Sequence, residues 1–242
     1  MNANMTATTS GPRDFAGAGD ESHDNVLEVS VDQSTFGLRM TDTPEGRNKA
    51  SVLINKMYAW RGYSGTHMLT DDPNRITLTT TVKGEVLGTL TLGIDSPVGI
   101  LADDIFKEEI DRYRARGAKV CEITKLAFDP QVNSKETMAS LFHLAVLHAR
   151  DIHCCTDLFI EVNPRHRRFY EHMLGFAREG EVKTNPRVDA PAYLLRVGFD
   201  YVTQQIQTLG GKGAASGERS FYPLFFSPHE EQGIVHRLRE MR

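Results

Sequence analysis

The segment from Ala118 to Phe176 constrains the fold most, because its patterns alternate between strand and helix twice in succession. It opens on an apolar strand pattern, and Met138 to Ala149 then repeats apolar residues at helical spacing. Leu158 to Val162 is a short, mostly apolar strand pattern, and Asn163 with Pro164 is a typical helix start. A short apolar strand that follows a helix indicates a strand buried inside a sheet.

The flanking residues predict antiparallel strands and further helices. The strand patterns ITLTTTV and VLGTLTLGI flank the turn signal Lys83-Gly84-Glu85, which is typical of a hairpin. Another strand pattern spans Phe36 to Thr41, a last one lies near Tyr193 to Phe199, and helical spacing begins at Pro44 and again after Asp103. These elements predict an α/β fold of the α+β kind, with a central mixed β-sheet flanked by helices.

Length and composition favour one domain with short additions. The 242 residues carry a net charge of -4, which gives no general attraction to nucleic acid. We expect a disordered tail at residues 1–25, the domain at 26–209, a flexible linker at 210–219 and a C-terminal segment at 220–242 that packs on the domain. No apolar run is long enough for a transmembrane segment.

The cysteines predict neither a disulfide framework nor a metal site. Cys121, Cys154 and Cys155 are odd in number and include a vicinal pair, which favours a reducing, cytoplasmic location. His153 adjoins the pair, but no other ligands follow at a familiar spacing. We expect no metal.

The turn LAFDPQVNSKETMASLF resembles, in position, the pyrophosphate-binding turn of GCN5-related N-acyltransferases, the GNAT fold. Ser134, Glu136 and Met138 stand where that family has Gly or Ala. Side chains there obstruct backbone approach to phosphate, and Glu136 places a carboxylate at a helix start. Asn133 and Glu136 also fit a capping box, so the same residues equally describe a self-capped helix. Either way the turn is a poor site for coenzyme A.

Further blocks resemble the N-acyl amino acid synthases, which are related to acyl-homoserine lactone synthases. The blocks are KMYAWRGY, CEITKLAFD, DLFIEVNPRHRRFYEHMLGF, PRVDAPAYLLR and the final SFYPLFFSPHEEQGI. The resemblance implies a cytoplasmic acyltransferase that needs no cofactor. It would join a long-chain fatty acyl group, carried as a thioester on acyl carrier protein, to the amine of an amino acid. That donor has no nucleotide diphosphate, which agrees with the altered turn.

The resemblance implies three catalytic side chains. Glu122 would be the general base, Lys125 would orient it or bind the substrate carboxylate, and Tyr170 would protonate the departing thiolate. Strict alternation puts Glu122 and Lys125 on opposite faces of their strand, so a shared site needs a bulge. The alternatives are a structural ion pair for these two residues and core packing for Tyr170.

The resemblance also implies binding residues. Backbone N–H groups of Leu126, Ala127 and Phe128 would stabilise the oxyanion, and Asn163 and Tyr63 would contact substrate.

Basic residues are candidates for docking the acidic carrier protein. They are Arg150, Arg165, Arg167 and Arg168. A solvated helix face is the alternative for these arginines. The apolar run FYPLFF would line an acyl tunnel or cover the core.

Three other functions remain open from the sequence. A coenzyme A-dependent N-acetyltransferase is opposed by the missing glycines, and an acyl-homoserine lactone synthase by the lysine at position 125. An inactive module that binds acyl carrier protein is the third.

Overall fold

The computed structural model describes residues 26–31, 34–41, 43–63, 65–83, 85–130 and 135–240. The predicted disordered tail at residues 1–25 lies outside this part of the chain. So do Gly84 of the predicted hairpin turn and Asn133 and Ser134 of the predicted helix cap.

The described residues form eight strands and six α-helices. The strands are β1 (Val26–Val31), β2 (Ser34–Met40), β3 (Arg75–Val82), β4 (Glu85–Ile94), β5 (Val120–Phe128), β6 (Asp157–Val162), β7 (Ala177–Asn185) and β8 (Ala190–Gly198). The helices are α1 (Pro44–Trp60), α2 (Asp103–Arg114), α3 (Lys135–Leu147), α4 (Arg167–Leu174), α5 (Phe199–Leu209) and α6 (Pro228–Glu240). A π-helical turn, His148–Ile152, extends α3, and a 3-10 turn, Pro164–His166, leads into α4.

The strands form one mixed sheet in the order β1-β2-β3-β4-β5-β6-β8-β7. Among the described strands, only β5 and β6 pair in parallel, and every other neighbouring pair is antiparallel. The prediction of a mixed sheet flanked by helices is confirmed. The strands β1 and β7 were not predicted. β7 is an edge strand with mostly polar residues, so it lacks the apolar pattern that marks a strand.

The parallel pair separates near its carboxyl end. Pairing of β5 with β6 covers Val120 to Ile123, although β5 continues to Phe128. The register between β4 and β5 slips at the same place, where Thr91 faces Thr124 but Thr89 faces Ala127. Two residues of β5 therefore oppose one of β4, which is a β-bulge. The sheet consequently opens between β5 and β6.

The helices cover the two faces of the sheet unequally. One face carries α1 and α2, each over its own small apolar cluster. The other face carries the main core, to which α3, α4, α5, α6 and the aromatic segment Phe221–Phe226 contribute. The side chains of Phe221, Tyr222, Phe225 and Phe226 are at most 1% exposed. This segment covers the core.

The predicted linker is hydrogen-bonded to the C-terminal segment. Gly211 N–H donates to the carbonyl of Phe225 and Gly213 N–H to that of Pro223. His143 on α3 stacks on the Phe225 ring, with the two ring centroids 4.5 Å apart. These contacts attach the end of the chain to the main core.

Candidate active site

A cavity of about 360 Å³ lies where β5 and β6 separate. Its wall combines the ends of both strands with the loop after α1, the start of the helix after β6 and the β7–β8 turn. Five of the predicted site residues line it: Tyr63, Lys125, Leu126, Asn163 and Tyr170. The other predicted residues lie elsewhere: Glu122, Ala127, Phe128, Arg150, Arg165, Arg167 and Arg168.

Lys125 occupies the bulge in β5. Its φ of 52° is left-handed, which is unusual for a residue with a side chain and re-aims that side chain. Its Nζ donates to the carbonyl of Met68 over 2.9 Å. Burial lowers its pKa, the charge of Arg75 lowers it further, and the charge of Glu122 opposes both. Lys125 has no ion pair within the described part of the chain, so it brings an uncompensated cation to the cavity.

Tyr170 reaches the cavity from α4. Its ring packs edge-on against Phe142 and Phe169, with centroids 6.4 Å and 5.1 Å away. Burial raises the pKa of the phenol well above its usual range. The hydroxyl has no hydrogen-bond partner among the residues described, and at neutral pH it keeps its proton. Core packing and exposure to the cavity therefore occur together in this residue.

Glu122 lies beside the cavity but not in its wall. Its side chain is 1% exposed and accepts hydrogen bonds from Arg75 Nη1 at 2.5 Å, Leu101 N–H at 2.6 Å and Ala102 N–H at 2.9 Å. These two N–H groups directly precede α2, so the carboxylate sits at a helix N-terminus that favours an anion. Gly93 on β4 leaves room for the pair, because a Cβ there would lie 2.8 Å from Arg75 Nη1.

The three backbone amides predicted as oxyanion donors do not all point to the same side of β5. Asp129 N–H donates to Leu87 of β4, and amides alternate in direction along a strand. Alternation therefore turns the amides of Leu126 and Phe128 toward the side where β6 has separated, and that of Ala127 toward β4. The side chain of Phe128 packs in the core and that of Ala127 packs on α1.

Asn163 and Tyr63 form part of the rim of the cavity. The Asn163 carboxamide accepts from Arg165 N–H at 3.2 Å, which confirms the predicted cap, although the turn it caps is a 3-10 turn before α4. The ring of Tyr63 lies edge-on to Tyr58, and the Arg165 guanidinium lies 5.4 Å from its centroid.

The four predicted docking arginines do not form one patch. Arg150 lies at the amino-terminal end of β6, the opposite end from the cavity, and pairs with Asp151 and Glu231. Arg167 pairs with Glu171. The other two, Arg165 and Arg168, are exposed at the start of α4, beside the cavity.

Sequence reasoning missed an acidic residue in the cavity wall. Glu161 on β6 accepts from Arg187 Nη2 at 2.5 Å and from Asn185 Nδ2 at 2.7 Å. Burial raises the pKa of its carboxyl to about 7, against the lowering effect of Arg187. The available signal was a lone acidic residue in the otherwise apolar strand end LFIEV. Arg61, which was also missed, lines the cavity as a further cation.

The described ranges contain no group of three His, Cys, Asp or Glu side chains that could hold a metal ion. Within the same ranges, no helix is both long and apolar enough to cross a membrane.

The mixed sheet of the described residues, whose one parallel pair splits over a cavity, has the GNAT fold, and the family match that follows makes the protein an acyltransferase of this class. The family model described as N-acyl amino acid synthase FeeM matches residues 49–198, and the chain belongs to this family. The predicted family and fold are thereby confirmed. No curated protein matches the chain.

The chain is also similar to solved structures. The structure of FeeM, an N-acyl amino acid synthase from uncultured soil microbes, is 25% identical, with a TM-score of 0.61 over 68% of this chain and 91% of that one. The acyl-homoserine lactone synthase LasI is 12% identical and shares the fold, with a TM-score of 0.52 over 68% of this chain and 90% of LasI. A GNAT-family acetyltransferase from Streptococcus pneumoniae is 13% identical, with a TM-score of 0.48 over 67% and 99% of the two chains.

Proposed function

We propose that this protein transfers a long-chain fatty acyl group from acyl carrier protein to the amine of an amino acid. The observation that carries the proposal is the Lys125 ammonium in the cavity wall, which has no carboxylate partner within the described residues. An amino acid brings such a carboxylate next to its amine. Membership in the FeeM family supports the same reaction.

The charge at the start of α3 supports acyl carrier protein as the acyl donor. Glu136 lies in the first turn of α3 and adds a negative charge at the helix end where GNAT enzymes hold pyrophosphate. This charge repels the nucleotide end of coenzyme A. The phosphopantetheine arm of acyl carrier protein has no pyrophosphate, so it avoids that repulsion.

The carrier protein would dock at the rim of the cavity. Arg165 and Arg168 are exposed there, and acyl carrier proteins are acidic. We leave Arg150 out of this surface because Asp151 and Glu231 neutralise it at the other end of the sheet.

The chemistry requires a neutral amine, a stabilised oxyanion and a proton for sulfur. The ammonium loses one proton to a base, and its nitrogen then bonds to the thioester carbon. The amide of Leu126, which lines the cavity, stabilises the oxyanion, and such a donor is worth about 3 kcal/mol in comparable sites. When the C–S bond breaks, the Tyr170 phenol protonates the thiolate, and the proton that nitrogen sheds restores the phenol. The products are an amide and free carrier thiol.

The test is direct. The purified protein is incubated with dodecanoyl and hexadecanoyl acyl carrier protein and each of the twenty amino acids, and products are detected by mass spectrometry. We expect acyl amino acids from the carrier donor and far slower turnover with the matching acyl-coenzyme A. Preferential use of acetyl-coenzyme A would indicate an N-acetyltransferase, and binding of the carrier without product under any donor would indicate an inactive module.

A separate variant tests whether Lys125 binds the substrate carboxylate. Lys125→Met keeps a straight side chain on the same left-handed backbone, and it should raise the KM for the amino acid by about 10- to 100-fold, the worth of a charged hydrogen bond. The kcat should change little, and Lys125→Arg should recover part of the affinity. Lys107→Met, on an exposed face of α2, is the control and should leave KM unchanged. An unchanged KM in Lys125→Met would remove the carboxylate contact.

A further inference from the structure

Two buried carboxylates lie on the same face of the sheet near the split, and only one of them faces the cavity. Glu122 on β5 pairs in register with Phe159 on β6, and Glu161 lies two residues further along β6. Both therefore point to the face that α1 and α2 cover. Their surroundings differ in access and in hydrogen bonding.

The hydrogen bonds of Glu122 indicate a structural role for this residue. It accepts from one guanidinium and from the two backbone N–H groups that precede α2, and water reaches 1% of its side chain. These three donors occupy both oxygens of the carboxylate and hold it between Arg75 and the start of α2. It therefore fastens α2 to β5.

The surroundings of Glu161 are those of a base. It lines the cavity, and its carboxylate is held by two donors from the other side, Arg187 Nη2 and Asn185 Nδ2. Arg187 is itself held by Asp104 Oδ2 at 2.6 Å and by the carbonyl of Leu101 at 3.2 Å. One guanidinium thus divides its charge between Glu161 and a second carboxylate.

Charged groups on every neighbouring element act on Glu161. Burial raises its pKa to about 7, Arg187 from the β7–β8 turn lowers it, and Glu122 on β5 and Asp104 on α2 raise it. The phenol of Tyr58 on α1 also interacts with its charge. The cations Arg61 and Lys125 share the same cavity wall, and so does His166, whose imidazole pKa is lowered by burial and by the charges of Arg165 and Arg61. Such a carboxylate is half-ionised near neutral pH, where a general base works best.

The position of Glu161 also suits the direction of attack. Tyr170 belongs to α4 and packs with the main core on one face of the sheet, whereas Glu161 and Arg187 approach from the α2 side. Because the sheet is open between β5 and β6, thioester and amine can meet there from opposite faces.

Resting on the proposed acyl transfer, we infer that Glu161 takes the proton from the acceptor ammonium and that Arg187, held by Asp104, positions its carboxylate. The proton moves from the ammonium nitrogen to a Glu161 oxygen, and the resulting neutral nitrogen attacks the thioester carbon. Glu161 is the catalytic base, and Arg187 and Asp104 are positioning residues.

The first test compares two acceptors. Glu161→Gln should slow acylation of the preferred amino acid at neutral pH by about 100- to 1000-fold, the usual worth of a general base. An aminooxy acid keeps the carboxylate, but its amine is already neutral at that pH. With aminooxyacetate as acceptor the same variant should lose less than about tenfold. An equal loss of rate with both acceptors would overturn the assignment. So would the opposite result, in which aminooxyacetate restores the rate of Glu122→Gln but not that of Glu161→Gln.

The second test uses the pH profile of kcat. The wild-type profile should bend on its acid side, and Glu161→Gln should lose that bend. Arg187→Ala removes a stabilising charge and should move the bend to higher pH, whereas Asp104→Asn removes a repelling charge and should move it to lower pH. Glu109→Gln removes another buried carboxylate of α2, paired with Lys183, and should leave the bend in place. Shifts in any other pattern would refute the positioning role.

A third readout needs no turnover. Carbon-13 NMR of the glutamate carboxyl groups should show one carboxyl that titrates near neutral pH in the wild type and is missing from Glu161→Gln. Its absence in the wild type would overturn this inference while leaving acyl transfer intact. Failure of the wild type to acylate any amino acid, with the NMR titration present, would refute the proposed function and with it the role of Glu161 as base in that reaction, but not the titration of Glu161 near neutral pH.

Discussion

Glu122→Gln should destabilise the protein strongly and leave its chemistry largely intact. The substitution keeps the size of the side chain but removes its charge and one acceptor oxygen. The new amide group then faces donors: the Arg75 guanidinium and the N–H groups of Leu101 and Ala102. At least one of these three loses its partner in a buried place, and Arg75 loses its counter-charge.

The magnitude follows from burial. Removing one partner of a buried ion pair costs about 3–5 kcal/mol of the free energy of unfolding. The side chain of Arg75 is 24% exposed, so water partly compensates it, and we expect the low end, about 3 kcal/mol. For a domain of this size, 1 kcal/mol corresponds to about 2–4 °C, so the melting temperature should fall by about 6–12 °C.

Urea and thermal denaturation of Glu122→Gln, Arg75→Met and the double variant measure the pair directly. Each single variant leaves a buried group without its partner, so the double variant should lose less than the sum, by about 1–3 kcal/mol. The folded fraction of Glu122→Gln should keep kcat within about tenfold of wild type. A loss below about 1 kcal/mol, or strict additivity, would contradict the structural role of this pair.

Two further predictions concern stability alone. Gly175 ends α4 with a φ of 74°, and a Cβ there would lie 2.3 Å from the Tyr201 ring, so Gly175→Ala should cost about 2–4 kcal/mol by chemical denaturation. Gly117→Ala has a similar φ of 83° and open space around it, so it should cost about 1 kcal/mol, and equal losses would show that the ring contact is irrelevant. Burial, with the charge of His153 adding, lowers the pKa of His148 to about 4, and neither ring nitrogen has a hydrogen-bond partner among the described residues. As pH falls from about 6.5 toward 4, the unfolded chain binds a proton there that the folded chain does not, so about 3 kcal/mol of stability should disappear across that window. Urea titrations at both pH values should show a smaller loss in His148→Leu, and an equal loss would locate the acid sensitivity elsewhere.

Much of the architecture could be predicted because its causes are local. Apolar periodicity identified α1, α2 and α3, and the hairpin strands β3 and β4 followed from alternation around a turn. Thr43 and Asn163 cap the segments that follow them through contacts two or three residues away. The strand β7 was missed because an edge strand buries too little to need an apolar pattern.

The site could be predicted only in part. Motif resemblance selected Lys125 and Tyr170, which the structure places in the cavity wall, and Glu122, whose carboxylate lies beside the cavity and is enclosed by Arg75 and the start of α2. Glu161 was passed over because it stands in a short apolar strand. Its one signal, an acidic residue in an otherwise apolar strand end, is the same for a structural acid and for a catalytic one.

The sequence by itself determined the order of the elements from β2 to α4, with their buried faces and their ends, because each of these depends on residues within a few positions of one another. Only the tertiary structure decided which acidic side chain faces the cavity. Lys125 turns there because a bulge reverses its strand alternation, and Arg187 reaches Glu161 from 26 positions along the chain. The protonation of a carboxylate depends on distant charges and on exclusion of water, and folding alone brings these together.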